Sequence, residues 1–206
     1  MGTEAAARLR DLVIHAGARH VGGVAVKEIT DAGPRLDNGV TIDCDLVLAA
    51  TGVTPQSAIA AEAGLEIRDD RIVVGSDMAT SAAGVYAAGD VALARHEVAG
   101  RHLVVEHWQD AAEQGAVAGA CAARWLTKWV GVPGFWTSVG GATLKYHAWG
   151  DGYEHSELRD HPGGFTVWYS SGDAVVAVLT YNRDEDYERG EQLIAERRPA
   201  PFSIED

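Results

Sequence analysis

The chain has 206 residues, of which 47% are hydrophobic and 24 are glycine, and its formal net charge is −13. That length and apolar content suffice to bury one good core or two small ones, and the glycines fit a turn-rich α/β or α+β protein. The acidic balance, without a basic run, excludes a role on phosphate backbones or anionic membranes, while no signal-like core and no span of about eighteen apolar residues predict a cytoplasmic protein.

In chain order, Thr3 can cap a helix whose apolar members Ala6, Leu9, Val13 and Ile14 recur at helical spacing, and Gly17 can end it. A strand is predicted over residues 21–29. In LDNGVTI, residues 36–42, apolar residues flank Asn38-Gly39, a hairpin signal in which both turn positions favour positive φ. DLVLAATG, residues 45–52, is continuously apolar between Asp45 and Gly52 and predicts a buried strand. A short helix over residues 57–64 follows, then a strand pair over residues 66–74 that turns at Asp69-Asp70.

GVYAAGDVA, residues 84–92, reads as a short apolar strand over residues 85–88 that ends in Gly89 and presents Asp90. Small residues ahead of a carboxylate let a flat, polyhydroxylated ligand approach the backbone, and the carboxylate accepts from its hydroxyls. His96, in the following loop, has no carboxylate or cysteine partner at motif spacing and reads as a solvated loop residue. The eight histidines show no metal-ligand spacing. Cys44 and Cys121 stand far apart and read as buried, reduced thiols; without a CxxC pair there is no dithiol centre.

Trp108 leads into a helix, predicted over residues 109–129, whose free N–H groups and positive dipole end face the same crevice as Asp90. Ala111, Ala112, Gly115, Ala116, Gly119 and Ala120 give it a small-residue face, open to two readings: close packing on a sheet or close approach of a cofactor. Asp110 and Glu113 in its first turn suit the dipole and need no further role. GVPG, residues 131–134, reads as a linker. Beyond it, residues 143–149, 154–158, 165–170 and 174–181 alternate or run apolar between glycine-rich turns, which predicts an antiparallel sheet. Asp184 can cap a closing helix through Tyr187, Leu193 and Ile194 that Pro199 stops.

GVYAAGDVA, EHWQDAAEQGAVAGACAA, VPGFWTSVGGATLKYHAWG and LTYNRDEDYERGEQLI together resemble the second FAD-binding segment and C-terminal domain of the ferredoxin-reductase-like flavoproteins, in the pyridine nucleotide-disulfide oxidoreductase superfamily. The most specific blocks are TSAAGVYAAGD, residues 80–90, and EHW, residues 106–108; the Phe135-Trp136 pair comes next. The resemblance implies α/β plus α+β architecture, part of a flavoprotein with two dinucleotide-binding domains and a C-terminal antiparallel-sheet domain. Residues 1–55 would be a remnant of the NAD(P)H-binding domain, 56–130 the distal half of the FAD-binding domain, and 131–206 the C-terminal interface domain.

The implied cofactors are FAD and NAD(P)H, contacted by Gly52, Gly89, Asp90, Glu106, His107, Trp108, Phe135 and Trp136. Asp90 would hold the ribityl chain, the helix start after Trp108 would face the ring's N1 and C2 carbonyl, and the three aromatic residues would wall the ring. No nucleophile or general base is expected. Gln56 follows Pro55 where the family commonly has Asn, a departure at the nicotinamide end near Gly52.

No GxGxxG occurs in the sequence. The chain is therefore expected to be the back part of a reductase that passes electrons from a nicotinamide through flavin to a ferredoxin- or rubredoxin-like carrier. Without its N-terminal half it is expected to bind FAD poorly and to be inactive, and a homodimer is a further expectation. The alternative is a non-catalytic module whose C-terminal sheet and aromatic linker mediate dimerisation or capture a partner.

Overall fold

Three sheets form from three successive stretches of chain, described over residues 2–201 in a computed structural model. The first pairs β1 (Val26–Thr30) with β2 (Gly33–Leu36), antiparallel. The second runs β3 (Ile67–Arg68), β4 (Arg71–Val74), β5 (Ala92–Arg95) and β6 (His102–Leu103); β4 and β5 are parallel and the outer pairs antiparallel. The third holds β7 (Gly134–Val139), β8 (Ala142–Ala148), β9 (His155–His161), β10 (Gly164–Ser171) and β11 (Ala174–Tyr181), in the order β7-β8-β11-β10-β9 with every neighbour antiparallel. The class is thus mixed α/β with a C-terminal antiparallel sheet.

Strand alternation gives this last sheet two apolar faces. Phe165, Val167 and Tyr169 of β10 join Leu144 and Leu179 on one face, and Trp168 joins Val175 and Val178 on the other. Helix α1 (Thr3–His15) covers the first through Ala5, Leu9 and Leu12, and α4 (Asp184–Glu196) covers the second through Leu193 and Ile194. Arg8 ties α1 to Asp160 of β9 and stands 6.0 Å above the Phe165 ring. The first helix therefore packs on the C-terminal sheet, although sequence order groups it with residues 1–55. A separate core under the middle sheet gathers Ile72, Val74, Ala92, Ala94 and Leu103 with Met78 and Trp129, beside α2 (Ala58–Glu62).

Several expectations from the sequence are corrected. Residues 45–52 form no strand: Leu46 and Leu48 are 84% and 87% exposed, because an apolar run becomes a buried strand only with a ladder partner and a covering layer, and the described residues supply neither. The first strand begins at Val26 rather than residue 21. The Asn38-Gly39 turn forms, with Gly39 N–H donating to Leu36 O and Leu36 N–H to Val40 O, but Gly39 alone has positive φ; this is a type I turn closed by a glycine bulge. At Asp69 and Asp70 both φ values are positive, as a two-residue hairpin turn requires.

Thr3 and Asp184 are first helical residues, and Gly2 and Arg183 stand at the cap positions without side-chain caps. Residues 85–88 make one isolated bridge, Tyr86 to Ala79, and no continuous strand, since the chain turns into a 3₁₀ segment at Gly89–Val91. The GVPG linker already opens β7 at Gly134. Cys44 is exposed and Cys121 partly so; both are free thiols.

Candidate functional site

Helix α3 (Trp108–Ala122) begins where the middle sheet meets the C-terminal one. His107 occupies its cap, and the ring Nδ1 accepts the Gln109 N–H at 3.2 Å, which satisfies one of the free donors of the first turn. The helix stops at Ala122, short of the predicted end at residue 129. Arg124 adopts φ 68°, and the Arg124 and Trp125 amides donate back to the Cys121 and Ala120 carbonyls, a left-handed closure that turns the chain away. The buried face of α3 is Asp110 and Gln114, with Val117 and Ala118 packed on the core. The small residues Ala112, Gly115, Ala116 and Gly119 lie exposed, so they do not provide the close packing on a sheet that composition allowed.

β7 runs past the head of this helix and brings two aromatic pairs together. Trp108 and Trp136 meet edge to face with centroids 5.7 Å apart, and His107 lies 6.0 Å from Phe135, which is itself 5.3 Å from Tyr146. Beside the His107–Phe135 pair opens a hollow of about 320 Å³, lined by Val105, Glu106, His107, Asp110, Phe135 and Tyr146 among others, with Trp108 and Trp136 outside its lining. Its size is at the lower end for small-ligand sites and suits a ring system rather than a whole dinucleotide. Glu106 is held at its rim by Arg71, 2.5 Å away. The acidic Glu106 and Asp110, the His107 ring and the apolar floor give it the mixture of a few polar groups on an apolar wall that ligand sites share.

Gly89 and Asp90 sit one turn further along the helix. Gly89 adopts φ +77°, a backbone conformation that favours glycine, and a Cβ there would press on Ala111 Cβ at 3.2 Å. The Gly89 N–H donates to Gln114 Oε1 at 2.8 Å, while the fully buried Gln114 leaves its Nε2 without a hydrogen-bond partner. Asp90 is half-buried and is not among the residues lining the hollow, which corrects the single crevice expected to hold both Asp90 and the start of α3. Gly52 is exposed, outside all three sheets, with open space around its α-carbon. The structure thus gathers Glu106, His107, Trp108, Phe135 and Trp136, sets Gly89 and Asp90 beside the same helix, and leaves Gly52 apart.

Three residues escaped sequence reading. Asp110 is 3% exposed in the wall of the hollow, and burial pushes its carboxyl up to about 7, opposed by the neighbouring Gly134 amide and assisted by Glu113. An acidic residue in a helix's first turn looks like a dipole partner, and nothing local marks it as buried. Gln114 gave one faint signal, the sole amide in a run of small and apolar residues. His96, expected in solvent, is fully buried between Trp129 and Trp149, at 4.6 and 5.0 Å, with Nε2 on the Gly131 carbonyl and Nδ1 accepting from Ala99 N–H. Its partners are distant in sequence, so periodicity could not reveal them.

A family model described as pyridine nucleotide-disulphide oxidoreductase matches residues 1–115, and one described as reductase C-terminal matches residues 134–204. The chain belongs to the pyridine nucleotide-disulphide oxidoreductase family. Putidaredoxin reductase of Pseudomonas putida is 30% identical over 165 residues, which cover 79% of this chain and 39% of that protein. The rubredoxin-NAD(+) reductase of the same organism is 33% identical over 110 residues, 53% of this chain and 28% of that one. Among solved structures, the ferredoxin reductase for the CYP199A2 system of Rhodopseudomonas palustris superposes with a TM-score of 0.87 at 26% identity, covering 97% of this chain and 51% of that one. The chain therefore spans about half or less of the length of these family members. Among the described residues no helix is long and apolar enough to cross a membrane, and no group of three or more potential ligands could hold a metal ion.

Proposed function

We propose that this chain is the ring-facing and C-terminal part of an FAD-dependent NAD(P)H oxidoreductase that delivers electrons to a ferredoxin- or rubredoxin-like carrier. The observation that carries the reading is the convergence of His107 and Phe135, from two distant segments, on a ring-sized hollow at the head of α3, with the Trp108–Trp136 contact beside it. Putidaredoxin reductase and rubredoxin-NAD(+) reductase, both similar to this chain, support the carrier class. The residues fit a flavin in three respects: aromatic walls, a helix N-terminus suited to negative charge, and a glycine-backed carboxylate, Asp90, beside the same helix.

A bound flavin supplies hydride acceptance and the release of electrons one at a time. The chain's own part is placement. Phe135, with Trp108 and Trp136 beside it, would flank the ring, the first turn of α3 would favour negative charge on it, and Asp90 would accept from its hydroxyls. The division at residues 55/56 and 130/131, a cytoplasmic location and a homodimer built on the C-terminal sheet belong to this same proposal.

The test is a chimera in which this chain replaces the matching half of the Rhodopseudomonas palustris ferredoxin reductase. The expected product reduces a ferredoxin with NAD(P)H as donor. A chimera with native circular dichroism that neither binds flavin nor oxidises NAD(P)H counts against the proposal. The exposed Trp108 and Trp136 also favour an assembly surface; a stable, flavin-free dimer of the chain alone, in sedimentation, would support that second reading.

A further inference from the structure

We propose that Gln114 is the positioning residue for the Asp90 carboxylate: its side-chain oxygen holds the Gly89 amide on α3 and so sets where Asp90 stands. The inference rests on the flavin reading of Asp90 and adds to it the group that fixes that carboxylate in place.

Residues 86–90 lie along α3 and run towards its head. Near the far end of the helix the Tyr86 hydroxyl donates to the Cys121 carbonyl at 3.4 Å. Closer to the start, the Gly89 N–H donates to Gln114 Oε1 at 2.8 Å, and the open side of Gly89 faces Ala111. The chain then makes its 3₁₀ turn over Gly89–Val91, with the Ala92 N–H closing on the Gly89 carbonyl. It enters β5 at Ala92, whose place is fixed by pairing with Ile72 of β4. Asp90 and Val91 are the two residues between these anchors. Among the described residues the Asp90 carboxylate has no hydrogen bond or ion pair to the chain, so the backbone alone places it, and on one side that backbone is held by Gln114.

Packing does not by itself call for an amide at this position. Gln114 is fully buried, on the helix face whose Val117 and Ala118 pack on the core. The Gly89 N–H can donate only to the amide oxygen, which fixes the orientation of the group and leaves Nε2 as a buried donor with no partner. A methionine would fill the same length without that unsatisfied donor, and buried unsatisfied donors destabilise. What the amide alone provides is the bond to Gly89. Without it the buried Gly89 N–H must reach water or turn away, and either movement swings the peptide that leads into Asp90.

The test compares Gln114→Met, which keeps the length and has no comparable acceptor, with Gln114→Glu, which keeps an oxygen in the same place, and with Asp90→Ala. In the unsubstituted 206-residue chain a scalar coupling is expected across the hydrogen bond, between the Gly89 nitrogen and the Gln114 side-chain carbonyl carbon; its absence overturns the proposal whatever the variants do. The Gly89 amide resonance shifts and its hydrogen exchange quickens in Gln114→Met, and both stay near the parent in Gln114→Glu. In the Rhodopseudomonas palustris chimera, Gln114→Met with unchanged circular dichroism binds flavin about tenfold more weakly, the factor expected from one lost buried hydrogen bond, and Gln114→Glu binds it as the unsubstituted chimera does. A Gln114→Met chimera that binds as tightly as its parent, while Asp90→Ala releases flavin, overturns the Gln114 assignment and leaves the flavin reading standing. Equal losses in the Met and Glu variants reduce Gln114 to a packing residue and overturn the assignment as well. An Asp90→Ala chimera that keeps its flavin defeats the flavin reading itself.

Discussion

Trp108 at the head of α3 and Trp136 in β7 meet edge to face, their planes at 87°, while each keeps a large part of its surface in solvent, 60% and 43%. A core contact would be buried, so this pair is a contact at the surface rather than a filling of the core. Such ring pairs contribute about 0.5–1.5 kcal/mol beyond area burial. A double-mutant cycle of Trp108→Ala and Trp136→Ala, read by urea unfolding, should return a coupling in that range. Additive effects would mean the rings do not meet in solution.

Gly89 is favoured by its φ of +77°, and a side chain there would press on Ala111 at 3.2 Å. Gly89→Ala should cost about 1–3 kcal/mol of stability. Gln114→Ala, which strips the Gly89 N–H of its acceptor, should cost a similar amount, about 1–3 kcal/mol, for the unsatisfied buried donor. Chemical denaturation of both variants checks the pair, and a neutral effect of either contradicts this packing of the GVYAAGD block on α3.

His96 provides a pH dependence with a definite sign. Burial, with help from Arg101, holds its pKa below the ordinary value, against the Gly131 carbonyl and Glu97, which raise it. A lowered histidine pKa means that the neutral ring stabilises the fold above the unfolded value of about 6.5, and that this contribution is lost as pH falls through the lowered folded value. The parent chain should lose stability on acidification more steeply than His96→Gln, which has no ring to protonate. Parallel stability profiles would show that His96 is already solvated.

Leu46→Lys and Leu48→Lys should each change stability by less than about 0.5 kcal/mol, since both side chains are exposed and touch no core. A loss of several kcal/mol would reveal a buried strand there after all. Equilibrium unfolding of the two single variants decides it.

The contrast between residues 45–52 and the C-terminal sheet shows what a sequence can disclose. In β10 and β11 the alternation of Phe165, Val167 and Tyr169 with Trp168 carries its own partner information, because consecutive hairpins supply the neighbouring strands. The DLVLAATG run has equal apolar content, but a parallel-type strand depends on neighbours from elsewhere, and its environment cannot be read locally. The same limit hid His96, whose two indole partners arrive from residues 129 and 149. It hid Asp110 too, because it is buried where α3 meets β7, a strand distant in sequence. EHW and the Phe135-Trp136 pair were legible as motifs, and the fold brought them together.

The most direct test of the central claim is flavin retention in the Rhodopseudomonas palustris chimera carrying Asp90→Ala, beside the unsubstituted chimera. The account predicts that the unsubstituted protein purifies with stoichiometric flavin, and that the Asp90→Ala protein, with unchanged circular dichroism, loses most of it. An Asp90→Ala protein as yellow as its parent would contradict the assignment of this segment to the flavin site.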